Sequence, residues 1–315
     1  MLPIDELVRF AAGFDEHHHH PAATAAAEAW GLERPVFVRS SASHVLVARS
    51  RGDEGRAVLR LRPDVEPHRS VLARGARAAA RWAAAGAPAA PALRSVHGHL
   101  VERTGGYAVM AMPAVEGDTL AEQGLPEGSA AWGAALARLH ATGPGADDLP
   151  HASDALRTPC PDDPALAARA VDLLDALAAL PRTPDVHGVL HGDPEADNVV
   201  AGADGLVLVD PDEVRVGWYA ADVAFALRDW STPAGGPDLT SEVPQRFIEG
   251  YRQVRPLTDD DIARLPLFTR VAAVEELLGL APQLATDARS DWPTWATDLH
   301  ARLRRHAAVV RAGLA

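Results

Sequence analysis

Apolar and polar positions recur with two different periods along this chain, and the change from one to the other divides it. After helical periodicity over about residues 4 to 30, valine and leucine recur at strand spacing in Pro35 to Arg39, His44 to Ala48 and Arg56 to Arg62. Ser40-Ser41-Ala42-Ser43 and Arg51-Gly52-Asp53-Glu54-Gly55 separate these runs as turns, which predicts an antiparallel meander. Leu72, Ala76, Ala79 and Ala83 then share one helical face, predicting a helix from about Ser70 to Ala85 with Gly86 past its end. Two further strands are predicted at about Ala92 to Glu102 and Tyr107 to Met112, separated by Thr104-Gly105-Gly106.

Beyond Pro113 the helical period dominates. Trp132, Leu136, Leu139 and His140 mark one face of a helix from about Ser129 to Thr142. Asp163 can cap the next, with Pro164 at its first position, a stripe of Leu166, Ala170, Leu173 and Leu177, and Pro181 as the stop. Further helices are predicted near 222–230, 244–253, 259–280 and 293–312, with Pro266 interrupting the third of these. Residues 146–163 and 231–243 read as loops. Inside this helical half, Asn198 to Ala201 and Leu206 to Val209 form a hairpin around the turn Gly202-Ala203-Asp204-Gly205.

Composition narrows the function classes. The 315 residues suffice for two domains or one two-lobed unit, and 47% hydrophobic with 23% charged residues excludes a disordered chain. All 30 basic residues are arginine, with no lysine, against 43 acids. The net charge of −13 disfavours a nucleic-acid partner. Residues 1–117 hold 12 acids and 14 arginines, residues 118–315 hold 31 acids and 16 arginines, so the second half suits a cationic ligand; solvated surface charge explains the same counts. A single cysteine, Cys160, offers no disulfide and no thiolate cluster. Early charges break any signal-peptide run, and no apolar stretch reaches about 18 residues, so the expectation is a cytoplasmic protein without a membrane partner.

The chemistry concentrates in His191-Gly192-Asp193, Asn198 and Asp210. The hairpin brings Asp193, Asn198 and Asp210 to one mouth, and this set suits phosphoryl transfer. One carboxylate orients a hydroxyl proton, while an amide oxygen and a second carboxylate supply hard ligands for magnesium. The ordered set, continued by Asp222-Val223-Ala224 and preceded by Ala135-Leu136-Ala137-Arg138-Leu139-His140, resembles the aminoglycoside phosphotransferase family, relatives of choline kinases and of the protein-kinase fold. The resemblance covers roughly residues 35 to 280, and Tyr107 to Gly117 looks like the family's last strand and hinge.

That resemblance implies an α+β, bilobal protein-kinase-like fold. It would comprise an N-terminal helical extension (1–34), an N-lobe (35–113) with a five-stranded antiparallel sheet plus helix that binds nucleotide, and a mostly helical C-lobe (114–315) with the catalytic hairpin and acceptor site. It implies Asp193 as the catalytic group, Asn198 and Asp210 as Mg2+ ligands, and His191 and Asp222 as supports of the catalytic loop. ATP is the implied phosphate donor, with GTP open, and the implied acceptor is a hydroxyl of a small cationic molecule such as an aminoglycoside-like antibiotic or an amino alcohol. A kinase for serine or threonine of a precursor peptide and a nucleotide-binding pseudokinase are the alternatives. Only 11 residues separate Asp210 from Asp222, too few for a long peptide-binding segment.

The nucleotide side departs from the usual pattern. Arg60 stands where kinase-like folds place a lysine, and it keeps the charge with a forked geometry. The usual helix glutamate falls near Gly75, with Glu66 the nearest acid. Ser41 and Ser43 occupy the first strand turn, where backbone N–H groups and hydroxyls can meet phosphate, although a plain hairpin turn fits equally. Met112 lies in the segment expected to meet adenine. Glu275 and Glu276 lie on the long helix that lines the acceptor cleft in relatives. His17-His18-His19-His20 reads as a solvated loop, Asp259-Asp260-Asp261 as helix capping, and Trp292 and Trp295 as helix packing.

Overall fold

The computed structural model describes residues 1–51, 55–143, 148–232, 235–285 and 287–314. The centre of the predicted 51–55 turn and parts of the two predicted loops, residues 146–147 and 233–234, lie outside the described residues. The chain forms two compact units, residues 1–116 with 288–300 and residues 117–287 with 301–315.

The first unit runs α1 (Ile4–Ala11), α2 (Pro21–Glu28), β1 (Leu32–Ser40), β2 (His44–Ser50), β3 (Arg56–Pro63), α3 (His68–Ala84), β4 (Glu102–Thr104) and β5 (Tyr107–Pro113). Its strands form one antiparallel sheet in the order β1-β2-β3-β5-β4. On β3 the two-residue period separates Leu59 and Leu61, which join a core with Leu46, Val109, Phe10, Ala26 and Trp30, from Val58, Arg60 and Arg62 on the other face. The N-terminal helices thus complete the core on one face of the sheet.

Three expectations change here. The helical stretch over residues 4–30 is broken, because the Asp15 carboxylate accepts from the backbone N–H groups of His17 (2.9 Å) and His19 (2.8 Å) and closes a turn. Of the four histidines, His20 is buried rather than solvated. Its Nδ1 caps α2 by accepting from the Ala22 N–H at 3.1 Å, and its ring stacks on Phe10. The predicted strand from Ala92 to Glu102 is also lost except for Glu102 itself. The Ser95 hydroxyl accepts from the N–H groups of His97 and His99, both at 3.1 Å, which curls the chain through Gly98 at φ +85°. Only Leu93 bridges to β5, at Ala111.

A polar network is buried beneath the sheet. His44 is fully buried, stacks on Phe10 with ring centroids 3.7 Å apart, and is held by Ser40 Oγ at 2.7 Å and Glu6 Oε1 at 3.2 Å. Tyr107 donates to the same Glu6 oxygen at 3.0 Å. Burial raises the Glu6 carboxyl, but the bonds from His44 and Tyr107 outweigh it and hold the group below its ordinary range.

The second unit contains α4 (Leu120–Gln123), α5 (Ser129–His140), α6 (Pro164–Ala178), β6 (His187–Leu190), β7 (Val199–Gly202), β8 (Gly205–Leu208), β9 (Arg215–Trp218), α7 (Tyr219–Ala226), α8 (Glu242–Val254) and α9 (Asp259–Leu284); α10 (Thr294–Gly313) follows. Asp163 caps α6 as predicted, and the stripe Leu166, Ala170, Leu173 and Leu177 is buried. The Thr258–Asp261 capping box opens α9. Pro266 does not interrupt α9: Leu265 and Phe268 beside it are buried, and this packing outweighs the missing helix bond. Trp292 donates to Asp5 at 2.8 Å, whereas Trp295 is 43% exposed and is not a packing residue.

Helices α5 and α8 approach until glycine is required on both. A Cβ on Gly133 would meet the Phe247 carbonyl oxygen at 2.0 Å, and one on Gly250 would meet the Ala130 carbonyl oxygen at 1.9 Å. The close crossing brings His140, at the end of α5, to Tyr251 on α8, with Nδ1 2.8 Å from the hydroxyl. β6 pairs with β9 and β7 with β8, so two small antiparallel ribbons carry the loops between them.

Candidate active site

His191 follows β6 directly, and the chain must turn at once. Gly192 makes that turn at φ +86°, and a Cβ there would stand 2.0 Å from the Glu213 carbonyl oxygen, so only glycine fits. The backbone N–H groups of His191 and Gly192 then donate to the two carboxylate oxygens of Asp222, at 2.7 and 3.0 Å. His140 Nε2 lies 3.0 Å from Asp222 Oδ2. A carboxylate can only accept, so Nε2 carries the proton and Nδ1 accepts from Tyr251. Burial raises the Asp222 carboxyl, but His140 and the backbone donors overcome this and leave it below its ordinary value. Farther along, Trp132 Nε1 donates to the Pro194 carbonyl at 3.1 Å and pins the loop to α5.

Asp193 stands on this braced loop. Asn198 Nδ2 donates to both its carbonyl oxygen and its Oδ2 at 3.0 Å, which orients the carboxylate and leaves the amide Oδ1 as an oxygen donor. Burial, then the charges of Glu195 and Asp210, push the Asp193 carboxyl up to about 7, against the pull of Arg228. Asp210 and Asn198 offer hard oxygens of the kind that suit a divalent cation, although among the described residues no group of three or more acids, histidines or cysteines is arranged to hold one by itself. Asp210 has φ +65° and ψ 66°, a left-handed conformation, at the start of the turn Pro211–Glu213. That unusual backbone re-aims the chain directly after β8, as at other sites where strain serves position.

Residues 36–257 match the family model described as phosphotransferase enzyme family. The chain belongs to that family. Among curated relatives, it is 31% identical over 169 residues to homoserine kinase of Methylobacillus flagellatus, covering 48% of this chain and 50% of that one. It is 37% identical over 114 residues to homoserine kinase of Beijerinckia indica, covering 35% of each. The matched stretches therefore span half or less of those relatives. Among solved structures, an amicoumacin kinase in complex with AMP-PNP, Ca2+ and Ami aligns with TM-score 0.71 at 18% identity, covering 95% of both chains. A microcompartment-associated aminopropanol kinase aligns with TM-score 0.60 at 20% identity, covering 91% of this chain and 94% of that one. The fold is accordingly the protein-kinase-like α+β fold of this family. No helix among the described residues is long and apolar enough to cross a membrane.

The remaining candidates divide. In the first unit, Arg60 is buried on β3 opposite Val45 and Met110, and Met112 is buried on β5. Ser43 is buried and its hydroxyl accepts from Arg62 Nε at 2.9 Å, while the Ser41 carbonyl accepts from the Leu2 N–H at 2.7 Å. Arg62 shares Arg60's face, and that two-residue spacing was legible in the sequence. Gly75 is buried on α3, and the exposed Glu66 is taken up by Ser70 (2.7 Å) and Arg69 (3.2 Å). In the second unit, Glu275 pairs with Arg215 at 2.9 Å and Glu276 with His306 at 2.5 Å. Glu195 pairs with Arg228, whose guanidinium lies over Phe225, 4.3 Å from the ring centre. Nothing in local spacing marks Arg228, Tyr251 or Trp132, since Arg228 and Trp132 reach the loop from elsewhere in the chain and Tyr251 acts on it only through His140.

Proposed function

We propose that this chain transfers the γ-phosphate of ATP to a hydroxyl of a small amine-bearing molecule. The observation that carries the reading is the Asp193–Asn198 pair on a loop braced by Asp222, with Asp210 near enough for its charge to raise the Asp193 carboxyl. Nucleotide binding is assigned to residues 35–113, with Arg60, Ser41, Ser43 and Met112 as contacts; catalysis and acceptor binding are assigned to residues 114–315. Mg2+ held by Asn198 Oδ1 and an Asp210 oxygen would neutralise charge on the transferring phosphoryl group.

Asp193 does the proton work. Its carboxylate, fixed by Asn198, accepts the acceptor's hydroxyl proton as the acceptor oxygen bonds to the γ-phosphorus and the bond to the bridging β–γ oxygen breaks. His191 and Asp222 hold the loop without touching substrate. Glu213 supplies negative charge suited to an ammonium group, and its charge reaches Asp193, whereas Glu195 is taken up by Arg228. Glu275 is reached through Arg215, whose own charge environment includes Glu213. Homoserine, the acceptor named for the curated relatives, carries ammonium, carboxylate and hydroxyl groups, and its carboxylate would compete with Glu195 for Arg228.

Mass-spectrometric or phosphorus NMR screening with MgATP against homoserine, aminopropanol, aminoglycosides and a serine peptide tests the proposal. Phosphate transfer to an amino alcohol or amino acid supports it; transfer to the peptide alone, or to none, overturns it. Asp193→Asn should abolish turnover while MgATP binding by calorimetry stays within a few-fold of wild type; undiminished turnover removes Asp193 from the mechanism.

A further inference from the structure

The second unit holds a cavity of about 620 Å3 at the far end of β6 from the catalytic loop, walled by His151, His187, Arg182, Arg255, Asp185 and Tyr219. β6 spans four residues, so roughly 13 Å of strand separates His187 from the loop that begins at His191. Neither guanidinium in this cavity forms an ion pair with a carboxylate among the described residues. The Arg182 guanidinium lies 5.5 Å from the Trp218 ring centre, and that of Arg255 lies 4.2 Å from the Tyr219 ring centre. Arg255 Nη2 donates to the backbone carbonyls of Pro184 (2.8 Å) and Asp185 (3.1 Å), and its Nε is buried with no partner. Two cations in this state are out of character with a half of the chain that carries 31 acids against 16 arginines.

The histidines add donors to the same wall. His151 Nδ1 accepts from the Ser153 N–H at 3.1 Å, so its proton sits on Nε2 and is donated to His187 Nε2, 3.1 Å away. His187 then carries its own proton on Nδ1. Both rings stand edge-on to Trp218, with centroids 5.3 and 5.2 Å from it, which fixes the pair. Segment 150–152 is itself held to β9, with the Ala152 N–H on the Val216 carbonyl at 2.7 Å.

We propose that this cavity binds a small doubly charged oxyanion, a dicarboxylate or a phosphate monoester, gripped by Arg182 and Arg255 with His187 as a further donor. Planar forks and imidazole N–H groups match carboxylate and phosphate oxygens. Burial first, and then the charges of His151 and Arg182, push His187 down to about 4. Asp154 and Arg157 act on His151 with opposite signs, and Asp185, Tyr219 and the buried His140 complete the titratable groups around the pair. An anion supplies the missing countercharge, so binding favours a proton taken from solvent on His187 Nε2 in place of the bond it accepts from His151, and it tightens as pH falls through the range in which the ligand keeps both charges.

Histidine-ring NMR of the full chain, titrated with succinate and separately with inorganic phosphate, tests this. Sodium chloride at equal ionic strength is the control, and His151→Asn and His187→Asn spectra assign the two signals among 14 histidines. The expected result is selective movement of the His151 and His187 signals, with the His187 titration midpoint rising toward neutrality. Arg182→Gln, at an exposed position, should weaken the response roughly tenfold with thermal unfolding unchanged. A response to succinate alone selects a dicarboxylate, and one to phosphate alone selects a phosphate ester. Movement no greater than in chloride, or an Arg182→Gln response equal to wild type, overturns the site.

Discussion

A carboxylate buried among helices persists only where its oxygens are paired, and Asp222 meets that condition with two backbone N–H groups and His140. Removing it leaves His191 and Gly192 with orphaned donors and His140 without its acceptor. Asp222→Ala should therefore lower unfolding free energy by about 3–5 kcal/mol, read by denaturant titration, and should lower turnover through the loop. The pH dependence has a definite sign. The Asp222 carboxyl is held below its unfolded value, so its contribution is complete above that ordinary value and fades as pH falls through the lower folded one. The stability gap between wild type and Asp222→Asn should stay constant from neutral to mildly acidic pH and narrow below about pH 4; a gap that widens on acidification would contradict the pairing. Asp193, Asn198 and Asp210 stand out as candidates in the sequence because they lie within one short stretch of chain. Tyr251, Trp132 and Arg228 could not, because their partners are separated from them by 111, 62 and 33 residues.

At the scale of elements, the loop is positioned by how near α5 and α8 come to one another. Gly133 and Gly250 let backbone meet backbone, and the crossing sets the distance from His140 to Tyr251. Gly133→Ala should destabilise the protein by about 1–3 kcal/mol through overpacking, measured as a lower Tm. It should also reduce turnover more than a change at the exposed Ala131, Ala131→Gly, does, since it pushes His140 from Asp222. Hydrophobic period identified most helices to within a few residues, because their stripes are long. It missed β6 and β9, four residues each, whose runs are too short to distinguish from loop. It overextended the strand before β4, where a serine hydroxyl competes for the backbone N–H groups.

At the scale of the molecule, charge is distributed along the chain more unevenly than its total suggests. If the proposed amine-bearing acceptor is drawn by the acid surplus beyond residue 117, that diffuse surface attraction is screened by salt. The KM of the acceptor found by screening should rise several-fold with added sodium chloride while kcat holds; a KM indifferent to salt would confine recognition to short-range contacts. The amino-acid sequence by itself determined most of the helices, the antiparallel strands β1 to β3 and the β7–β8 hairpin, which reside in local period, and it set out the ordered Asp193, Asn198 and Asp210 candidates whose family resemblance implies the fold. Tertiary structure alone decided that His20 and His44 are buried against Phe10, that Asp210 adopts a left-handed turn, and that two arginines and two histidines share one cavity. Those outcomes depend on which distant segments pack together, and burial, hydrogen-bond partners and proton affinity all follow from that packing.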